Sequence, residues 1–161
     1  MIQFLNNIWV ALNTSNLTLV NILTIPLYPI EIFLLMNLFL TVLNVVATTK
    51  QKITYIIVIT TVSMLSLNFI PEPFYIIINY ISVLLCINLI FKLNMLKSFI
   101  AFVLSTFIFA LLNVLFQNPY LTILNITFDT FMNVAIYRIP YLLFLYFILF
   151  IFSIILKKLK I

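Results

Sequence analysis

FYIIINYISVLLCINLIF, residues 74–91, runs from Pro71-Glu72-Pro73 to Lys92 without one charged side chain. At about 1.5 Å of helical rise per residue, a stretch of about 18 residues covers most of a hydrocarbon core roughly 30 Å thick. Four further stretches of similar length and character lie at 32–49, 53–70, 98–117 and 139–156. Hydrophobic residues make up 66% of the 161, charged residues 7%, and mean hydropathy is +1.33, so the solvent for this chain is lipid. These features predict an all-α integral membrane protein, a polytopic bundle of five transmembrane helices, or six if residues 1–24 also cross. An N-terminal interfacial or spanning segment, 1–30, would precede a transmembrane helical domain, 31–161.

The charges sort by loop. If five spans alternate in direction, Lys50, Lys52, Lys92, Lys97, Lys157, Lys158 and Lys160 share one side, and Glu31, Glu72, Asp129 and Arg138 share the other. Lysine excess marks the cytoplasmic face. The expectation is a multi-pass protein of a bacterial inner membrane with its C-terminus in the cytoplasm. Merging or adding one internal span would scatter the lysines. Although the net charge is +5, the basic residues flank spans and form no stripe with interleaved aromatics, which argues against nucleic acid.

Residues 1–24 are apolar and uncharged, but Asn6, Asn7, Asn13, Asn16 and Asn21 make insertion costly, so the segment spans or lies at the interface. It has no basic stretch and no small-residue cleavage pattern of a secretory signal. If it spans, Pro26 and Pro29 fall in an outer turn before Glu31, where missing donors are tolerated. Residues 121–134 read as a short helix on the outer surface. The chain has no glycine, hence no GxxxG seam, and packing must use Ala, Ser, Thr and Asn.

Catalytic chemistry finds little support. There is no histidine, which removes imidazole bases and the triads built on them. The three carboxyls lie near the outer ends of different spans, and the lysines are flanking residues, so neither a carboxyl pair nor a Ser–Lys dyad can be assembled. No cofactor or metal motif is present, and the single cysteine, Cys86, allows no internal disulfide. Asn37, Asn44, Asn68, Asn79, Asn88 and Asn113 fall in or at the ends of spans, where each amide needs a partner; interhelical bonds or a polar pocket would serve. Arg138 is the one outer cation. Its planar fork could hold an anionic ligand group, or it could pair with Asp129, Glu72 or Glu31. A ligand site on the outer face would use Arg138, Asp129, Glu72 and Tyr141, with Phe74, Tyr75 and Tyr120 as further aromatic surfaces. Interfacial anchoring is the default reading of all six aromatics at span ends, Tyr55, Phe74, Tyr75, Tyr120, Tyr137 and Tyr141.

Thr24-Ile25-Pro26 before the first span, the short turn Phe91-Lys92-Leu93-Asn94-Met95-Leu96-Lys97-Ser98, and the exit Lys157-Lys158-Leu159-Lys160 resemble the membrane half of accessory-gene-regulator-type peptide-sensing histidine kinases. The likeness covers nearly the whole chain and consists of hydropathy and loop lengths. It implies membrane helices that receive a secreted peptide and pass movement into a cytoplasmic helix. The chain departs from that family in lacking a phospho-acceptor histidine and in ending soon after the last span. The implied role is a non-catalytic sensor or binding module. Its partners would be the lipid bilayer and another membrane or cytoplasmic protein in trans, or a second copy in a homo-oligomer. The rival reading is a membrane subunit of a transporter, or an envelope or cell-shape scaffold.

Overall fold

The computed structural model describes residues 2–71 and 74–159, and within them every regular element is helical. Glu72 and Lys160 lie outside the described residues. The helices are α1 (Ile2–Asn13), α2 (Leu17–Thr24), α3 (Tyr28–Val42), α4 (Thr49–Phe69), α5 (Phe74–Phe91), α6 (Met95–Leu124), α7 (Phe128–Asn133) and α8 (Ala135–Leu159); a 3-10 turn, Ile25–Leu27, joins α2 to α3. Among the described residues four helical runs are long and apolar enough to cross a membrane: Leu19–Val42, Phe74–Phe91, Met95–Leu124 and Ala135–Lys158. The chain is a membrane protein. The expected span at 53–70 corresponds to α4, which is as long as a crossing at 21 residues but opens on Lys50-Gln51-Lys52 and carries more hydroxyls.

Helix ends are set by local chemistry. Thr48 and Gln51 form a reciprocal capping box at the start of α4, and the Asn94 side chain accepts from the Lys97 N–H at the start of α6 (2.8 Å). Without glycine, the left-handed residue that closes a helix must be something else. Asn44, Lys92 and Asn125 take it, with φ of 57°, 55° and 52°. After Asn44 the chain makes a Schellman turn: Val45 N–H donates to the Leu40 carbonyl (2.9 Å) and Asn44 N–H to that of Thr41 (3.1 Å).

That turn corrects the first expected span. Helix α3 stops at Val42 rather than at residue 49, and the apolar run is completed from the other direction by α2 and the 3-10 turn. Residues 1–24 therefore do not form one sixth crossing. Helix α1 is 12 residues, about 18 Å by helical rise, and packs against α8, whereas residues 19–24 belong to the run that makes the first crossing. Pro26 and Pro29 lie at the starts of the 3-10 turn and of α3, not in an open loop. Helix α6 continues through Pro119 to Leu124, so only α7 and its short flanks remain of the expected 118–138 connection.

Helices α3, α4, α5 and α6 pack in a closed ring, each touching the next and α6 touching α3; α8 lies outside the ring against α3 and α6. Ser98, Ala101 and Ser105 are the buried residues of α6, small side chains where closely packed membrane helices commonly place glycine. At the lysine end, Met36, Phe39, Tyr55, Ile59, Ile87 and Phe91 form one core cluster, and the Gln51 amide donates to the Ile90 carbonyl (2.8 Å). Along the α3–α8 contact Leu34 and Leu38 meet Tyr146 and Leu149. At the far end Phe131, Tyr141 and Leu145 bind α7 to α8. Asn16 N–H donates to the Asn133 carbonyl (3.1 Å), tying the N-terminal helices to α7.

Candidate functional site

The ring helices line a partly open cavity of about 280 Å³ with a largely apolar wall, including Leu35, Ile59, Val83 and Phe109, and with Glu31, Ser63, Asn79 and Thr106 among its polar residues. A second space of about 240 Å³ shares Glu31, Ile32, Ser63 and Asn79 and extends to Tyr28, Leu67 and Tyr75. Toward the lysine end the cavity closes on Phe39 and Tyr55; Phe39 packs edge-on against Tyr55 and Phe91 at centroid distances of 5.7 and 5.5 Å, and Tyr55 and Phe91 meet tilted at 5.4 Å. Its two ends are thus unlike: aromatic packing on one side, and on the other an adjoining space.

Glu31 is the charged residue of both walls. It falls in the first turn of α3, where an acidic side chain complements the helix dipole. It also lies near the middle of the run Leu19–Val42, opposite Tyr146, which is near the middle of Ala135–Lys158. The Tyr146 hydroxyl donates to Glu31 Oε2 at 2.7 Å. Among the described residues Oε1 makes no hydrogen bond to protein. Sequence reading places this carboxyl at an outer flank; the earlier end of α3 moves it to mid-depth. A carboxyl at that depth is expensive to keep and characteristically functional.

The outer residues expected to bind are not gathered into one wall. Arg138 is in the first turn of α8 and donates to Asn21 Oδ1 (3.2 Å) and, at the limit of bonding distance, to the Met132 carbonyl (3.5 Å). Its partners among the described residues are therefore an amide and a carbonyl in place of the expected acid. Asp129 is exposed in α7. Tyr141 is buried to 1% exposure, with its hydroxyl bonded to Asn113 Oδ1 (2.6 Å) and its ring against Phe131 and Tyr120 at 5.2 and 5.1 Å. It holds α6 to α8 and does not line the cavity. Of the aromatic set, Phe74 is exposed and Tyr75 lines the second, adjoining space.

Several mid-span amides serve as ties. The Ser66 hydroxyl donates to Asn79 Oδ1 (3.1 Å) between α4 and α5, Asn113 holds Tyr141, and Asn88 donates to the Leu93 carbonyl.

No family model, curated protein or solved structure matches the chain.

The site is therefore read from its own side chains. Tyr146 escapes a sequence reading because a tyrosine inside an apolar span has many uses. The signal for it is spacing: residues 138, 142, 146 and 149 recur along one face of α8, and that face meets α3. The arrangement offers one hydrogen-bonded carboxyl, hydroxyls and an amide around an apolar volume. It can recognise and orient a small molecule. Among the described residues that line it, Glu31 is the one carboxyl.

Proposed function

We propose that this chain is a non-catalytic ligand-binding protein of a bacterial inner membrane. It takes a small amphipathic molecule whose cationic or hydrogen-bond-donating head meets Glu31 and whose apolar part fills the ring. The observation that carries this reading is the mid-depth carboxyl in the shared wall of two adjoining spaces. In this reading α4 is the fifth crossing, with Tyr55, Ser63 and Ser66 turned to the ring and its length sufficient. The lysine-bearing end is cytoplasmic, and ligand enters from the opposite end. Helix α8 touches Glu31 through Tyr146 and ends at Lys157 and Lys158, which supports relay of occupancy to a partner in trans, as the resemblance to peptide-sensing kinases implies.

A second reading, the substrate-binding subunit of a transporter, is favoured by the 3-10 interruption at Ile25–Leu27 just before Glu31, since transporters place mid-membrane sites beside broken helices.

Binding is tested on the full chain in neutral detergent, by thermal unfolding with octylamine and its isosteric alcohol homologue. Octylamine raises the unfolding midpoint of the wild type saturably, octanol does so far less, and Glu31→Gln removes the difference. Equal responses to both probes, or an unchanged response in Glu31→Gln, overturn the assignment. Affinity capture from membranes separates the two readings. A co-purifying kinase or regulator supports sensing, and an energising ATPase supports delivery.

A further inference from the structure

A third space, about 570 Å³, lies at the lysine end between the C-terminal half of α3, the turn at 44–47, the start of α4 and the end of α8. Lys52 and Lys157 enter it from two different helices. The described acids are elsewhere, Glu31 at mid-depth and Asp129 on α7, so neither lysine has a carboxyl partner there among the described residues. The polar lining includes Asn37 and Ser153. Ser153 is 9% exposed, and among the described residues its hydroxyl makes no hydrogen bond, nor does the Asn37 amide. A buried serine in a helix ordinarily bonds the carbonyl one turn back, as Ser105 does to Ala101 (2.6 Å). Ser153 instead lines the cleft with its donor unused. Beside this polar group stand Phe150 and Ile154, partly exposed on the outward flank of α8.

We propose that this cleft binds the phosphate-bearing head of an anionic membrane lipid. Lys52 and Lys157 supply two positive charges from separate helices. Ser153 and Asn37 supply uncharged donors to phosphate or glycerol oxygens. Phe150 and Ile154 supply an apolar flank for acyl chain. A soluble phosphate would satisfy the first two groups and leave the third without use. Basic pockets between helices near the headgroup level favour anionic lipids for this combination of reasons.

The test follows the thermal unfolding of the full chain in neutral detergent with added dihexanoyl phosphatidylglycerol, dihexanoyl phosphatidylcholine, or sodium phosphate at matched ionic strength. The expected result is a saturable rise in midpoint with phosphatidylglycerol alone. In the double variant Lys52→Gln, Lys157→Gln the half-saturating concentration rises by roughly tenfold or more. Lys50→Gln with Lys158→Gln, which changes equal charge outside the cleft, leaves it unchanged, and Lys52→Arg with Lys157→Arg retains the response. Retained phosphatidylglycerol counted by mass spectrometry of the purified proteins gives a second readout should the double variant unfold early. No saturable response in the wild type overturns the proposal. So does equal weakening in both double variants, which would mean diffuse surface charge, or an equal response to sodium phosphate, which would mean a soluble anion.

Discussion

Glu31 and Tyr146 are 115 residues apart in sequence and 2.7 Å apart across the α3–α8 contact. Replacing Tyr146 by Phe keeps the ring that packs on Leu34 and Leu38 and removes only the donor. The expected loss is about 1 kcal/mol, within the range of polar contacts between membrane helices, measured by reversible unfolding in mixed micelles. The same variant leaves both carboxyl oxygens open and changes octylamine affinity. A Tyr146→Phe protein identical to wild type in both respects would show that the bond does not form. Arg138 was legible as a polar anchor because it is a lone cation in an apolar neighbourhood, yet its partner was not. Asn21 is one of many asparagines, and nothing local distinguishes it. The depth of Glu31 was hidden for a related reason. Leu43, Val45, Val46 and Ala47 look like the continuation of a helix, and the stop rests on the left-handed Asn44.

Among the elements, the helix ends carry the burden of a glycine-free chain. Asn125 holds a left-handed turn between α6 and α7, with Ile126 N–H bonded to the Leu121 carbonyl (3.1 Å). Asn125→Gly should leave stability within a few tenths of a kcal/mol, whereas Asn125→Val should cost about 1–2 kcal/mol, because a β-branched side chain is least tolerant of positive φ. Lys92 occupies the same backbone region without the local hydrogen bonding that asparagine offers, so Lys92→Gly should stabilise the chain by about 0.5–1 kcal/mol. Unfolding midpoints of the three variants decide both points. Apolar runs and their polar breaks made the helical class and the order of the long helices readable, and 74–91 coincides with α5, although four of the described helical runs, not five, have the length and hydropathy of a crossing. Boundaries were readable only where a cap has a signature, as at Thr48 and Gln51. Where two short helices join through Ile25–Leu27, hydropathy alone does not say which side of the prolines belongs to the crossing.

For the whole molecule, the lysine-bearing turns share one end: Gln51 reaches the Ile90 carbonyl, and Lys52 and Lys157 line one cleft. In a Cys86→Ser background, single cysteines at positions 50, 97 and 158 should react with an impermeant maleimide only after the membrane is opened, and one at position 125 should react in intact cells. Labelling of any of the first three in intact cells breaks the topology. Helix α3 lines both the mid-depth cavity and the lysine-end cleft, and α8 lines that cleft and carries Tyr146, the hydrogen-bond partner of Glu31. The two proposed sites share one pair of packed rods, and if both bind they are thermodynamically linked wherever filling one shifts that pair, with a reciprocal factor. A lipid that tightens amine binding must be held more tightly by the amine-bound protein, to the same degree. Membrane composition would then act as an effector, setting the sensitivity of the central site from the opposite end of the bundle.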